Sequence, residues 1–312
     1  MRVVEDIEKL NEPFKNAVVT IGNFDGVHKG HQALFARVRE KAREIGGTSV
    51  AVTFEPHPVS VLRPDLPPLP RITVYERKVE LISSAGMDAL VCLAFTPGLA
   101  KLDAKTFLED ILIKRIGMKA IVVGGDYAFG RNREGDVDFL KRHAGDAGFE
   151  VLCEKWVVVP GMENRRISST VIREKVMEGD VETAAELLGR PYQVCGTVVP
   201  GRGRGAKILG FPTANMELKN ELCPGIGVYA VSVEYGSNIY KGVANIGFSP
   251  TFEDHQFTVE VHILDFEGDL GGRFIRVNFI KRLRDEKRFE TIEELKAGIA
   301  NDVAIARKIV FI

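Results

Sequence analysis

The stretch GNFDGVHKGH, residues 22–31, sets two imidazoles, His28 and His31, three positions apart among Gly22, Gly26 and Gly30. It follows a β-branched run and precedes a helix expected from about Gly30 to Ile45. Glycines at such a corner allow positive φ and close approach of backbone to ligand. Amides at a helix N-terminus favour anions. Imidazoles placed there can donate hydrogen bonds to phosphate oxygens and stabilise the charge that develops during displacement at phosphorus. A zinc site needs three or four ligands, and Asp25 with the two histidines could supply three. No further His/Cys cluster lies close in sequence, however, and zinc would leave the glycines unexplained. Two surface histidines on a loop are the plain alternative.

ISSTVIR (167–173) repeats the theme. Hydroxyls and amides open a helix, and Arg173 adds a fixed cationic fork. Ordinary N-capping by Ser168, Ser169 and Thr170, and a surface ion pair for Arg173, are the bland readings. Phe54, in TFEPHP (53–58), can stack on a planar ring or fill the core. In the second half, GRGRGAKILGFPTAN (201–215) is a glycine- and arginine-rich loop ahead of a strand. It is not a Walker A loop, because Ala206 precedes Lys207 and Ile208 follows it. By composition alone a basic RNA-binding loop is the other reading.

The elements that must position these residues fall into two styles. Short apolar strands at 17–22, 48–54, 88–95, 119–125 and 149–159 alternate with helices expected over 30–45, 72–86, 103–116 and 136–147. That alternation predicts βαβ units and a parallel sheet buried on both faces. One or two helices over 168–190 close this half. After Pro191 the runs YQVCGTVV, GVYAVSVEYG, YKGVANIG, FTVEVHILDF and FIRVNFIKRLR are separated by Gly, Pro and Asn, which predicts an antiparallel barrel or sandwich. The capping-box spacing Thr291-x-x-Glu294 predicts a final helix. The boundary is expected near 186–190, giving domains 1–187 and 188–312.

With 312 residues, 45% apolar and 27% charged, the chain has enough material for two cores. A net charge of −1 gives no global field toward nucleic acid or membrane. No apolar run approaches a membrane span, and the charged N-terminus MRVVEDIEKL has no signal-peptide core. Cys92, Cys153, Cys195 and Cys223 form no CxxC pair and read as reduced thiols of a cytoplasmic protein. The oligomeric state is left open.

The G-x-F-D-G-V-H-x-G-H stretch resembles the HxGH signature of the nucleotidylyltransferase superfamily. Its extended form resembles the N-terminal module of bacterial bifunctional riboflavin kinase/FAD synthetases. The resemblance continues in order through TFEPHP, VVGGDYAFG (122–130) and ISSTVIR, then GFPTAN (210–215), NIGFSPTF (245–252), VEVHILDFEGDLGG (259–272) and DEKRF (285–289). It covers about residues 14–310. It implies a Rossmann-like nucleotidylyltransferase domain, a parallel sheet with flanking helices, followed by a riboflavin-kinase-type antiparallel β-barrel with a terminal helix.

By the same resemblance His28 and His31 contact the ATP phosphates. Ser168, Ser169, Thr170 and Arg173 form the second phosphate motif. Asn23, Phe24, Gly30, Asp126 and Arg166 lie near nucleotide or flavin, and Phe54, Pro56, Asp126 and Phe129 are flavin-binding candidates. In the barrel, Gly205, Lys207, Gly210, Pro212, Thr213 and Asn215 make the ATP loop, with Thr213 and Asn215 holding Mg²⁺. Glu260 acts on the riboflavin 5′-hydroxyl, where a carboxylate can accept the proton as the alcohol attacks the γ-phosphate. An ordinary outward strand residue is the alternative for Glu260.

The loop departs from the family pattern, with an extra residue and Lys207 where an arginine is usual, and the two are not equivalent at bidentate phosphate sites. The expected activity is a transferase that makes FMN from riboflavin and FAD from FMN, using ATP twice. Competing expectations are a pair with one activity lost, or a non-catalytic nucleic-acid binder. The neutral charge and the lack of an interleaved aromatic-basic stripe argue against the binder.

Overall fold

Valine, isoleucine and alanine runs build an all-parallel sheet in the first half of the chain. Its strands are β1 (Arg2–Val4), β2 (Ala17–Ile21), β3 (Ser49–Glu55), β4 (Ala89–Ala94) and β5 (Met118–Gly124). A small hairpin of β6 (Ala128–Phe129) and β7 (Gly135–Asp136) follows, and β8 (Glu150–Glu154) is the sixth sheet strand. The structure is a computed structural model that describes residues 1–200, 210–218, 221–248 and 257–310. Two compact units emerge: residues 1–69 with 74–168, and residues 70–73 with 169–312.

In the first unit the strand order is β1-β4-β3-β2-β5-β8. The order reverses between β2 and β5, the switch point where open α/β sheets bind ligands beyond the strand ends. Helices α1 (Lys29–Glu44), α2 (Pro58–Leu62), α3 (Tyr75–Ser84), α4 (Pro97–Ala100), α5 (Ala104–Thr106) and α6 (Val137–Ala147) join the strands. One core holds Val19, Val50, Val91, Leu108 and Ile121; the other holds Phe24, Phe35, Val38, Leu90 and Val122.

Two expectations are corrected, and one strand was not anticipated. β1 was not legible, since a short edge strand buries only Val4 of its three residues. The helix expected over 103–116 winds as α5 and then as a π-helix over Phe107–Ile116. The single strand expected over 149–159 breaks at 155–157: β8 loses its neighbour when β5 ends, at the pair Gly124↔Glu154. Beyond the break β9 (Val158–Val159) pairs antiparallel with β10 (Met162–Arg166).

The second unit opens with α7 (Ser169–Glu178) and α8 (Val181–Leu188). Gly179, at φ +78°, ends the first, and Asp180 caps the second by accepting from the Thr183 amide at 3.1 Å. Strands β11 (Tyr192–Val199), β12 (Ala214–Leu218), β13 (Gly227–Tyr235), β14 (Asn238–Phe248), β15 (Phe257–Ile263) and β16 (Phe274–Arg284) close into an antiparallel barrel ordered β11-β12-β15-β14-β13-β16. Closure removes every free strand edge. Helix α9 (Ile292–Lys308) covers part of the outside, where Val228 and Ala230 cluster with its Ala306 and Val303. The alternate residues Tyr229, Val231 and Val233 therefore fill the interior, and all three are fully buried.

Candidate functional site

In the first unit the chain leaves β2 at the switch point and turns through Gly22–Val27 before α1. The turn is tied down: the Gly22 backbone amide donates to the Val52 carbonyl, the Thr53 hydroxyl to the Asn23 carbonyl and the Gln32 side-chain Nε2 to the Val27 carbonyl. Gly26 takes φ +87°, as the glycine spacing implied, but Phe24 (+49°) and Val27 (+41°) are also left-handed. A β-branched residue there is strained, and such strain collects at functional sites. The Phe24 ring, expected beside a ligand, is instead in the core at 1% exposure, edge-on to His31 and Phe35. Only its backbone faces the turn.

His28 is the N-cap of α1. Its Nδ1 accepts from the His31 backbone amide at 3.3 Å, so in the neutral ring the proton sits on Nε2, a ready donor. The His28 and His31 rings stack with centroids 3.6 Å apart. Burial first, then the charges of His28 and Lys78, push the His31 pKa well below its ordinary value. Its Nδ1 is shielded from solvent and lacks a protein hydrogen bond. Gly30 lets this happen: a Cβ there would lie 3.1 Å from the His28 ring and 3.7 Å from the Ile167 carbonyl. The same contact brings the start of the ISST segment, 137 positions later, against the N-terminus of α1.

Lys78 was not singled out from sequence, where this segment was expected only as a helix over 72–86. It is a lysine at 4% exposure whose charge reaches both His31 and Cys92. Asp126 and Arg166 do meet, as an ion pair just past β5. Phe54 is half-buried, edge-on to Phe95 at 5.5 Å, and Pro56 is exposed. Phe129 is half-buried between Tyr127, Phe107 and Phe139. Ser168 closes the first unit; Ser169, Thr170 and Arg173 lie on α7 of the second, where Arg173 Nε donates to the Pro70 carbonyl at 3.2 Å.

In the barrel, register assembles what the sequence holds far apart. Asn215 on β12 faces Glu260 on β15, which faces Asn245 on β14, which faces Val228 on β13. Residues opposite one another share a face. Because Val228 packs outward against α9, the row Asn215–Glu260–Asn245 is on the outer face. Glu260 is therefore an outward residue, yet it is half-buried. Burial, and secondly the Glu286 carboxylate, raise its pKa above the ordinary value. Gly247 makes room for Glu286, since a side chain there would collide with that carboxylate. Asn245 and Glu286 were not singled out from sequence, although NIGFSPTF and DEKRF contain them.

Thr213, exposed, directly precedes β12, and strand alternation puts it on the face of Asn215. Gly210 is exposed at φ +78°, and the Pro212 carbonyl is 2.8 Å from His262 Nδ1. Gly205 and Lys207 lie outside the described residues. Among the described residues no group of three or more His, Cys, Asp or Glu is placed to hold a metal ion. A hydroxyl, an amide carbonyl and a carboxylate on one face are the oxygen donors a hard divalent cation takes, with water and phosphate completing its shell.

Fold and sites together define a class: a nucleotide-binding α/β module with a histidine-capped switch point, followed by a closed β-barrel carrying a carboxylate between two amides. Comparison narrows it. Residues 10–171 match the FAD synthetase family model and residues 188–310 the riboflavin kinase model. The bifunctional riboflavin kinase/FMN adenylyltransferase of Pseudomonas fluorescens is 42% identical over 308 residues, covering 98% of this chain and 97% of that one. The protein of the same description from Escherichia coli K12 is 38% identical over 310 residues, covering 99% and 97%. A crystal structure described as a macrolide-efflux protein from Streptococcus pneumoniae superposes with a TM-score of 0.89 at 32% identity, covering 99% of both chains. Among the described residues of this chain, no helix is long and apolar enough to cross a membrane. The chain belongs to the bifunctional riboflavin kinase/FMN adenylyltransferase family.

Proposed function

We propose that this chain makes FAD from riboflavin in two steps. In the barrel, the riboflavin 5′-oxygen attacks the γ-phosphorus of ATP, the β–γ bridge breaks and FMN and ADP leave. Glu260 accepts the hydroxyl proton. Its raised pKa, set by burial and then by the Glu286 carboxylate, makes it a stronger base than an exposed glutamate. Thr213 and Asn215 would hold Mg²⁺, which would neutralise charge on the transferring phosphate. Gly205, Lys207, Gly210 and Pro212 are assigned to ATP binding.

In the α/β module, an FMN phosphate oxygen attacks the α-phosphorus of a second ATP, the α–β bridge breaks and pyrophosphate leaves. No general base is needed, because the FMN phosphate is already an anion at pH 7. His28 and His31 hydrogen-bond the triphosphate; the proton that His28 keeps on Nε2 while its Nδ1 accepts from the His31 amide, and a His31 Nδ1 without a protein hydrogen bond, support that role. Ser168, Ser169, Thr170, Arg173 and Arg166 add phosphate contacts, and Asn23, Gly30 and Asp126 shape the turn that receives them. Phe54, Pro56 and Phe129 face the flavin. The modules divide at 1–187 and 188–312; the start of the riboflavin kinase match at residue 188 supports this. A cytoplasmic setting is part of the proposal, supported by four cysteines that form no disulfide.

The observation that carries the reading is the pairing, in one chain, of a histidine-capped switch point with the Asn215–Glu260–Asn245 row. A chromatographic time course with riboflavin, ATP and Mg²⁺ tests it. FMN should rise first and FAD accumulate behind it. FMN that never becomes FAD, even when FMN is supplied directly, would remove the second activity.

A further inference from the structure

Trp156 is the only tryptophan in the chain, and the reading above gives it no task. It is 52% exposed, although tryptophan is among the residues most buried on average. It sits in the three-residue break between β8 and β9. The pair Gly124↔Glu154 fixes what lies beside it: Asp126 and Trp156, each two residues further on, leave the sheet side by side at its carboxyl edge. A Cβ on Gly124 would be 3.5 Å from both Asp126 Oδ1 and Trp156 Nε1. Arg166 ties the pair together. Its guanidinium carbon is 4.7 Å from the indole centroid, and its Nη1 is ion-paired with Asp126. A planar cation lies over the indole and is pinned by a carboxylate, while the residue as a whole stays exposed.

We propose that Trp156 is a ring-binding residue of the adenylyl-transfer site, stacking the adenine of ATP while Arg166 beside it faces the phosphates. This rests on the adenylyltransferase reading and deepens it. The reaction has two flat rings to hold. Phe54, Tyr127 and Phe129 pack against one core face of the sheet and supply an aromatic wall for the flavin. Trp156 belongs to neither core cluster, stands next to the strand beside the switch point and carries a cation over its ring. A nucleotide offers a ring and phosphates a few ångströms apart, which matches an indole with a guanidinium over it.

Because the chain has one tryptophan, its emission reports this position alone. ATP without flavin should shift or quench that emission, and inorganic tripolyphosphate, which has no ring and reaches only Arg166, should do so less. In FMN adenylylation, Trp156→Ala should raise KM for ATP about three- to tenfold with kcat within about twofold, Trp156→Phe should restore most of the loss, and riboflavin phosphorylation should be unchanged. An unchanged KM for ATP, an effect on FMN instead, or an equal response to tripolyphosphate would overturn the proposal while leaving the adenylyltransferase reading intact. A wild-type protein that makes no FAD from FMN overturns that reading itself.

Discussion

Glu260 shows how a single residue acquires its properties from neighbours distant in sequence. Its carboxylate is half-buried, between two asparagines in register and near Glu286. Burial and then like charge lift its pKa, so the neutral form is favoured in the fold. Its contribution to stability is present below the ordinary carboxylate value and is lost as pH rises through the raised folded value. Activity runs the other way, since the base must be ionised. The acid limb of kcat/KM for riboflavin phosphorylation should therefore lie above the ordinary glutamate value, and Glu286→Gln should move it to lower pH. A pH–rate profile unmoved by Glu286→Gln contradicts this account. Glu260→Gln should lower kcat about 10²–10⁴-fold in a folded protein.

Elements are held by a few long-range ties, and α9 is the clearest case. Thr291 caps it as the capping-box spacing predicted, accepting from the Glu294 amide at 3.2 Å, while the Glu294 carboxylate accepts from the Glu290 amide. What fastens α9 to the barrel was not legible: Asp302, at 2% exposure, accepts from Arg284 Nε and Nη2 at 2.8–3.1 Å. An aspartate within a helix reads from sequence as a solvated charge. Asp302→Ala leaves a largely buried guanidinium unpaired and should cost about 3 kcal/mol, the lower end for a broken buried pair, because a quarter of the Arg284 side chain remains in water. Urea unfolding measures it; a loss under about 1 kcal/mol would mean the pair is a surface ornament.

Across the whole molecule the two chemistries should be separable. Replacing His28 and His31 by alanine should reduce FAD formation from FMN by at least about a hundredfold and leave FMN formation from riboflavin within about twofold. Assaying each half-reaction alone checks this, and equal loss of both in a folded protein would sink the two-site account.

The order of strands and helices, the change of style after Pro191 and the phosphate-binding character of the HxGH and ISST segments were legible because each is a local pattern, carried by alternation, periodicity or glycine spacing; GFPTAN was legible only through its family resemblance. The chain's sequence alone thus determined the two architectures and the kind of chemistry each receives. Tertiary structure decided the rest. It buried the Phe24 ring, brought Ile167 against Gly30, set Lys78 beside His31, lined Asn245 up with Glu260 and ended a strand so that Trp156 stands beside Asp126. These meetings depend on strand order and register, which are set by how whole elements bury their apolar faces against one another and leave no signature in the residues that happen to meet.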